Sequence, residues 1–409
     1  NFLAIFVIIL FIGSDKKYKN LLLSTLISFF VILQGISYLF FRKSFDDNFL
    51  FFVLNINIFK LTLNAKIIIV YYGFLFYVFL CIFNYFIMKK IHLRKFKKYI
   101  IGLCVIVLLI PNSFLYNILY IIIKDYAINY YKYRNKNYQD IYRELKNEEY
   151  VTLNNLEILN NDKKPKNLVL IYLESYDQSL LTNSEVKKYT ENIRNISDEG
   201  EFFYNIEQLD GGMGTIAGIF NSQCGIQYMT FFLLFNPYSV LNKNYQLVCF
   251  PNVLNKAGYE QIFIGGADKQ LFNKGNYILS HGYDVMEDKH SLIEKNNRLK
   301  ENLGDWGIKD IDIFNIAKEK YIELSKNDKP FNMTILTTAT HNTDGIFDER
   351  CRNTYKNNLA NAVECTDDNV YDFINFLKEQ RNYKDTVIVI MPDHYQYSNN
   401  GLDKIIKEE

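Results

Sequence analysis

Polar residues suited to metal coordination follow three apolar segments of this 409-residue chain. They are Glu174 after the run 168–173, His341 shortly after the run 331–337, and Asp393 with His394 after the run 386–391. Carboxylate oxygens and imidazole nitrogens are ligands for divalent ions such as Mn²⁺, Mg²⁺ or Zn²⁺. Each residue alone is a weak signal, because short motifs recur freely by chance. The prediction of a metal site depends on their occurring together.

A second chemical feature is a glycine-rich segment, residues 211–218, which contains Thr215. Glycines let the backbone approach a phosphate closely, and the start of a following helix favours an anion. The Thr215 hydroxyl could act as a nucleophile once a base or a metal lowers its pKa. A plain helix N-cap threonine fits the same pattern, and these residues alone leave both interpretations open.

The elements that must position these residues alternate along the chain after residue 167. Short apolar runs, typical of buried strands, occur at 168–173, 261–264, 331–337 and 386–391. Helical patterns lie between them, for example at 308–324 and 360–380. This alternation predicts an α/β domain with a mostly parallel central sheet. Ligands of such sheets bind beyond the carboxyl ends of the strands, where the candidate residues stand.

Residues 1–123 have the composition of a transmembrane region, dominated by Phe, Ile, Leu, Val and Tyr. Stretches 20–41, 66–88 and 99–123 reach the about 20 residues that a helical span needs. The run 1–13 is interpreted as the tail of a fourth span, so further residues are expected to precede Asn1. Basic loops near residues 16–19 and 89–98 are expected in the cytoplasm.

Both loops can be cytoplasmic only if the chain between them crosses the membrane an even number of times. Spans 20–41 and 66–88 supply two crossings, so the stretch 49–63 is expected to lie outside, in the interface. The last span then delivers the rest of the chain to the outer face of a bacterial inner membrane. A Tyr- and Lys-rich juxtamembrane connector is expected at 124–165, followed by the catalytic domain at 166–409.

The charge balance gives no hint of a nucleic-acid partner, and the cysteines agree with the external location. The chain has 46 basic and 45 acidic residues, so it lacks the basic excess that nucleic-acid phosphates would select. An even number of cysteines in an oxidising compartment indicates disulfides. Proximity in the sequence favours Cys224 with Cys249 and Cys351 with Cys365.

The segment around Thr215 resembles the nucleophile segment of the bacterial phosphoglycerol transferase I family. The supporting motifs, in chain order, are 170–175, 214–219, 222–226, 280–284, 305–307, Thr340-His341 with Asp344-Gly345, and 385–394. Together they cover most of residues 167–394 in order. The wider group includes lipoteichoic acid synthases and phosphoethanolamine transferases, within the alkaline phosphatase and sulfatase superfamily.

The resemblance implies residue roles. Metal ligands would be Glu174, Thr215, Asp393 and His394, with Thr215 also the catalytic nucleophile. Substrate-binding residues would be His341, Lys274, Phe272, Asp305 and Trp306, and the paired cysteines match the glucan-modifying enzymes. Asn342 departs from relatives, which often carry a second histidine there. The chain also stops fifteen residues after His394 whereas relatives continue, so the domain is expected to be incomplete at its C-terminus.

By the same resemblance, Mn²⁺ is the expected metal, phosphatidylglycerol the donor in the lipid bilayer, and a periplasmic glucan or related envelope glycan the acceptor. The alternative is a phosphoethanolamine transferase acting on lipid A or another envelope glycan. An alternative of another class is a non-catalytic membrane protein that keeps the fold for binding. A sulfatase in the strict sense is disfavoured, because no Cys-x-Pro-x-Arg motif occurs in the chain.

Overall fold

The computed structural model describes residues 156–158, 164–204, 206–209, 212, 214–226, 228, 248–341, 344–396 and 405–406. All of them belong to one compact unit, which comprises residues 136–229 and 236–409. The predicted spans, the stretch 49–63 and most of the connector lie outside the described residues. Within the described part of the chain, no helix has the length and apolar character required to cross a bilayer.

The core of the domain is a five-stranded parallel sheet, which confirms the predicted α/β architecture. Its strands are β1 (Asn167–Leu173), β2 (Glu260–Gly265), β3 (Val285–Glu287), β6 (Phe331–Leu336) and β7 (Thr386–Pro392), in the order β3-β2-β6-β1-β7. A separate antiparallel hairpin is formed by β4 (Leu303–Gly304) and β5 (Gly307–Ile308). Neither β3 nor this hairpin was predicted, since both are too short to show a periodic pattern.

The central strands are the apolar runs of the sequence. β1 and β6 are buried along almost their whole length, as expected for strands covered on both faces. β1 lies between β6 and β7, with Tyr172 level with Leu336 on one side and Met391 on the other. The residues that follow these three strands therefore meet at one edge of the sheet.

Eight α-helices connect and cover the strands in the described part of the chain. They are α1 (Ser179–Thr182), α2 (Glu191–Asp198), α3 (Thr215–Cys224), α4 (Phe250–Lys256), α5 (Lys274–Ser280), α6 (Lys289–Lys295), α7 (Asp310–Leu324) and α8 (Asn358–Lys378). Short 3₁₀ segments occur at Lys187–Tyr189, Leu271–Asn273, Asn297–Asn302 and Tyr383–Asp385.

Two helix boundaries differ from the sequence prediction for local reasons. Helix α7 begins at Asp310 rather than at 308, because Ile308 belongs to the hairpin. Helix α8 begins at Asn358 rather than at 360, because the Asn357 side chain accepts hydrogen bonds from two N–H groups of the first turn. The helices pack against each other through Phe314 and Phe373, whose ring centroids are 5.4 Å apart.

Both expected disulfides are present. Cys224 at the end of α3 is joined to Cys249, which precedes α4. Cys351 is joined to Cys365 in α8. The first bond ties the helix that begins at Thr215 to the following helix, so the position of α3 is constrained at its carboxyl end.

Candidate active site

Glu174 stands directly after β1 and is buried. Its backbone N–H donates to Thr337 Oγ1 at 2.9 Å, which ties it to the end of β6. One carboxylate oxygen accepts from Ser175 Oγ at 2.9 Å, and the other accepts from Thr215 Oγ1 at 3.0 Å. Glu174 therefore contacts the residue predicted to be the nucleophile, although 41 positions separate them in the sequence.

The ends of β1 and β7 are joined by two hydrogen bonds at Asp393, one to its backbone and one to its side chain. Asp393 N–H donates to Leu173 O at 3.2 Å, and Ser175 N–H donates to Asp393 Oδ1 at 2.8 Å. Ser175 has a φ of 50°, a left-handed conformation that is unusual for a serine. This turn aims the Ser175 N–H at Asp393 and its hydroxyl at Glu174, so the strained conformation serves both carboxylates.

His394 completes a buried group of three potential metal ligands. Its Nε2 lies 3.3 Å from Glu174 Oε1 and 3.6 Å from Asp393 Oδ2. Its Nδ1 lies 2.6 Å from Tyr395 O, and because a carbonyl only accepts, Nδ1 carries the hydrogen. The other ring nitrogen therefore faces the two carboxylates as a potential ligand.

These atoms fit a divalent cation. One ligand atom from each of Glu174, Asp393 and His394 lies within 4.8 Å of the other two. Asp393 Oδ2 is buried and has no hydrogen-bond partner among the described residues. A buried carboxylate oxygen without a partner is costly in a folded protein unless a cation or a proton compensates it. The donor set of oxygens and an imidazole suits Mn²⁺, Mg²⁺ or Zn²⁺.

The pKa shifts of Asp393, Glu174 and His394 also indicate that positive charge stabilises this buried group. Burial raises the pKa of Asp393, and the nearby Glu174 carboxylate raises it further. Burial also acts to raise the pKa of Glu174, but His341 and His394 outweigh it and hold that pKa below its ordinary value. Burial lowers the pKa of His394, yet Asp393 and Glu174 reverse this and bring it to about 9. A proton on His394 thus supplies the charge that a cation would bring.

Thr215 is the first residue of α3, preceded by Gly214 at the N-cap with a φ of 118°. Gly214 occupies the capping position, so the Thr215 hydroxyl is directed to Glu174 instead of capping the helix. Helix α3 also lies against the Asp393 backbone. A Cβ built on Gly218 would fall 1.7 Å from Asp393 O, a distance no side chain can occupy. Gly218 therefore permits the approach of α3 to the Asp393–His394 turn.

Two of the predicted substrate-binding residues lie beside this group. His341 Nε2 is 3.9 Å from Glu174 Oε1. The Trp306 ring lies over His341, with centroids 4.1 Å apart. Asp305 is exposed in the turn of the hairpin, so its carboxylate is not part of the buried group.

Lys274 is buried at the start of α5. Burial lowers the pKa of its ammonium, while the charges of Glu174 and Asp393 oppose that shift. It forms no salt bridge with a described residue. Phe272 and Asn273, just before it, have φ values of 52° and 59°, which are rare for non-glycine residues. A cation held in this way at a helix N-terminus suits an anionic group such as a phosphate.

Sequence reasoning missed several residues that hold this group together. Thr337 and Ser175 bind Glu174 as described, and Thr340 Oγ1 donates to the Glu174 carbonyl. Ser175 and Thr340 are adjacent in the sequence to the predicted site residues Glu174 and His341, and this adjacency could have identified them. Nothing in the sequence pattern indicates the role of Thr337.

A second acidic group, formed by Asp268, Asp288 and His290, has a structural explanation. Asp288 caps helix α6 by accepting from Ser291 N–H, and Asp268 accepts from Gln270 N–H. The His290 side chain is 67% exposed. These contacts are those of ordinary helix and turn capping.

Comparison with known proteins gives a consistent result. The family model described as Sulfatase matches residues 166–409. Phosphoglycerol transferase I of Escherichia coli O127:H6 is 32% identical over 259 residues, which are 59% of this chain and 32% of that protein. The chain thus spans about a third of the length of the curated relatives it matches.

Solved structures with a similar chain fold include two bacterial proteins. A protein of the alkaline phosphatase superfamily from Vibrio parahaemolyticus is 22% identical, with a TM-score of 0.47 over 57% of this chain and 55% of that one. The lipoteichoic acid synthase LtaP from Listeria monocytogenes is 18% identical, with a TM-score of 0.46 over 63% of this chain and 62% of that one.

Proposed function

Because the chain belongs to the sulfatase family, we propose that it is a metal-dependent phosphotransferase that uses Thr215 as its nucleophile. The observation that carries the proposal is the hydrogen bond from Thr215 Oγ1 to Glu174, inside a buried group that also contains Asp393 and His394. A threonine hydroxyl at a helix start and a set of metal ligands meet there, which is the arrangement that phosphoryl transfer through an enzyme-bound ester needs.

Glu174, Thr215, Asp393 and His394 would hold the metal, with Mn²⁺ the first choice. A bound divalent cation supplies positive charge that lowers the pKa of the threonine hydroxyl and offsets the charge of the phosphate. Lys274, buried and without a salt bridge among the described residues, supplies further positive charge for the phosphate. His341, 3.9 Å from Glu174, is placed to contact the transferred group.

The reaction has two steps. Thr215 Oγ1 forms a bond to the phosphorus of a lipid donor, and the bond from phosphorus to the diacylglycerol oxygen breaks. Diacylglycerol leaves with a proton, and the phosphoglycerol group remains on Thr215. The hydroxyl of an acceptor then forms a bond to the same phosphorus, the bond from phosphorus to Thr215 Oγ1 breaks, and the acceptor's proton passes to Thr215. The relative from Escherichia coli is named phosphoglycerol transferase I, which favours phosphatidylglycerol as donor and a periplasmic glucan or related envelope glycan as acceptor.

A lipid donor also fits the proposed domain organisation. We place residues 1–123 in a bacterial inner membrane with about four spans, residues 124–165 as the juxtamembrane connector and residues 166–409 outside as the catalytic domain. The disulfides Cys224–Cys249 and Cys351–Cys365 support an oxidising compartment. Attachment to the bilayer would keep the site within reach of a donor that never leaves it.

The decisive experiment detects the enzyme-bound intermediate. The Mn²⁺-loaded protein is incubated with phosphatidylglycerol without acceptor, and its peptides are analysed by mass spectrometry for phosphoglycerol on Thr215. Thr215→Ala should lose both the adduct and the release of diacylglycerol. Thr182→Ala is a matched control, since Thr182 ends α1 and its hydroxyl only returns to Gln178 O.

Three outcomes contradict the proposal or part of it. Undiminished transfer by Thr215→Ala, or an adduct on another residue, would refute Thr215 as the nucleophile. A phosphoethanolamine adduct formed from phosphatidylethanolamine in preference to phosphatidylglycerol would refute the donor and favour the alternative transferase.

A further inference from the structure

Asp310 is a buried carboxylate that the proposed reaction does not use directly. It is the first residue of α7 and is 3% exposed. Acidic residues in a first turn usually face the helix dipole or solvent. The oxygens of Asp310 instead accept three hydrogen bonds from the loop that follows β6: from Thr338 N–H at 2.7 Å, Thr338 Oγ1 at 3.0 Å and Ala339 N–H at 3.1 Å.

This arrangement requires a carboxylate. Oδ1 takes both Thr338 donors and Oδ2 takes the Ala339 N–H, so each of two successive backbone N–H groups has its own acceptor oxygen. An asparagine offers only one acceptor oxygen. Asp310 forms no salt bridge with a described residue, and burial raises the pKa of its carboxyl to about 6 although the loop N–H groups oppose the shift. The hydrogen bonds from this loop therefore compensate the burial of the Asp310 carboxylate.

The loop held by Asp310 leads directly to His341, whose N–H donates to Thr338 O at 3.1 Å. The segment that carries Asp310 leads back through the β4–β5 hairpin to Trp306. That hairpin is fixed in turn, because Ile308 N–H donates to Gly266 O at 3.0 Å and a Cβ on Gly307 would fall 2.0 Å from the same oxygen. Asp310 therefore joins the Trp306 segment to the His341 segment, and the Thr338 hydroxyl, 3.4 Å from Ile308 O, adds a longer hydrogen bond between them.

We propose that Asp310 is a positioning residue that sets the Trp306–His341 ring pair beside Glu174. The two rings lie 4.1 Å apart between centroids, and His341 Nε2 lies 3.9 Å from Glu174 Oε1. Without the three hydrogen bonds to Asp310, the loop after β6 is free to shift relative to the hairpin. The Trp306 and His341 rings then separate. The consequence for substrate binding rests on the proposed transferase function, whereas the geometric role of Asp310 does not.

The chain has a single tryptophan, so tryptophan emission, excited selectively over that of the 32 tyrosines, reports on this pair. The Asp310→Asn variant keeps the shape of the side chain and removes one acceptor oxygen. His341→Ala gives the reference emission of Trp306 without the imidazole beside it. We expect the emission and acrylamide quenching of Asp310→Asn to move from the wild-type values towards those of His341→Ala.

The matched control is Asp312→Asn, which removes the same charge two residues later in the same first turn. The Asp312 carboxylate accepts hydrogen bonds from Arg350 and, among the described residues, none from Thr338 or Ala339. The Trp306 emission of the Asp312→Asn variant should remain that of the wild type. Thr338→Val removes the hydroxyl that donates to Asp310 Oδ1 and lies 3.4 Å from Ile308 O. It should shift the emission in the same direction as Asp310→Asn, which keeps the test available if Asp310→Asn folds poorly.

In transfer assays, Asp310→Asn should raise the KM for the substrate by roughly tenfold, the factor expected from one lost hydrogen bond to a carboxylate. Mn²⁺ affinity and kcat should change less than KM, because among the described residues Asp310 has no hydrogen bond to a metal-ligand candidate. Wild-type Trp306 emission and KM in a folded Asp310→Asn protein would overturn the positioning role. A wild-type protein without transferase activity would instead count against the proposed function, and the emission would still decide the role of Asp310.

Discussion

The substitution Gly218→Ala provides the sharpest test of how the candidate site is assembled. Gly218 lies in α3, one turn after Thr215, and faces the backbone of Asp393. The added Cβ would fall 1.7 Å from Asp393 O and 2.7 Å from Asp393 C. Neither neighbour is the end of a flexible side chain, so the helix or the strand end itself must move.

The size of that movement follows from ordinary contact distances. Close C···O contacts in proteins are about 3.3–3.6 Å, so α3 and the Asp393–His394 turn would have to separate by roughly 1.5 Å. Metal sites tolerate deviations of only about 0.2 Å in ligand distance. Thr215 and Asp393 could then no longer share one ion without further distortion. Overpacking of this kind costs typically about 1–3 kcal/mol.

The sign of the change in stability distinguishes the close contact with Asp393 from the ordinary effect of helix propensity. In a helix without the close contact, alanine is better than glycine by about 1 kcal/mol. Gly218→Ala would then stabilise the protein. With the contact present, we expect a lower melting temperature of the metal-free protein and a Mn²⁺ affinity reduced by roughly 10–100-fold, as for other changes that displace metal ligands.

Thermal unfolding and calorimetric Mn²⁺ titration measure both effects. Gly200→Ala is the matched control, since the nearest atom that its Cβ would meet is Ile196 O at 3.9 Å. That variant should bind Mn²⁺ like the wild type. A Gly218→Ala protein that melts at or above the wild-type temperature and binds Mn²⁺ equally well would show that α3 does not lie against Asp393.

Further predictions concern the ligands, a buried acid, a disulfide and the topology. Asp393→Asn should weaken Mn²⁺ binding by more than the roughly 10–100-fold typical of outer-shell changes, as measured by titration; unchanged affinity would remove Asp393 from the ligand set. Burial raises the pKa of Asp367 from its ordinary 3.8 to about 6, so between these values the folded state binds more protons than the unfolded state. Its contribution to stability is full below about pH 4 and is lost as pH rises through 6, by roughly 3 kcal/mol; in denaturant unfolding, the loss of stability between pH 4 and pH 7 should be smaller by about this amount in Asp367→Asn than in the wild type. Cys351→Ser opens a loop with a sequence separation of 14 and should cost about 3 kcal/mol, and recovery of Cys351 and Cys365 as free thiols from native membranes would contradict the pairing. Reporter fusions after Lys60 and after Tyr150 should both report the outer side of the membrane, and opposite sides would refute the even number of crossings.

The fold class and the residues that meet at one edge of the sheet could be predicted from the amino-acid sequence alone. Continuous apolar runs separated by helical patterns indicated a parallel sheet, and the carboxyl ends of such strands share an edge. Glu174, His341, Asp393 and His394 could be selected on that ground because each follows a strand closely. The disulfide partners could be chosen because short separations favour pairing.

Other features depend on how distant segments approach each other, and local patterns carry no information about that. The strand order β3-β2-β6-β1-β7 decides that Glu174 lies between the ends of β6 and β7. The approach of Gly218 to Asp393 and the contact between the Trp306 and His341 rings join segments far apart in the sequence. Asp310 shows the difference most clearly. No motif or spacing in the sequence singles out Asp310, and its oxygens reach the N–H groups of Thr338 and Ala339 only through the folding of the domain. Periodicity fixes which face of an element is buried, whereas the contacts of a buried polar group are set by the packing of the whole domain.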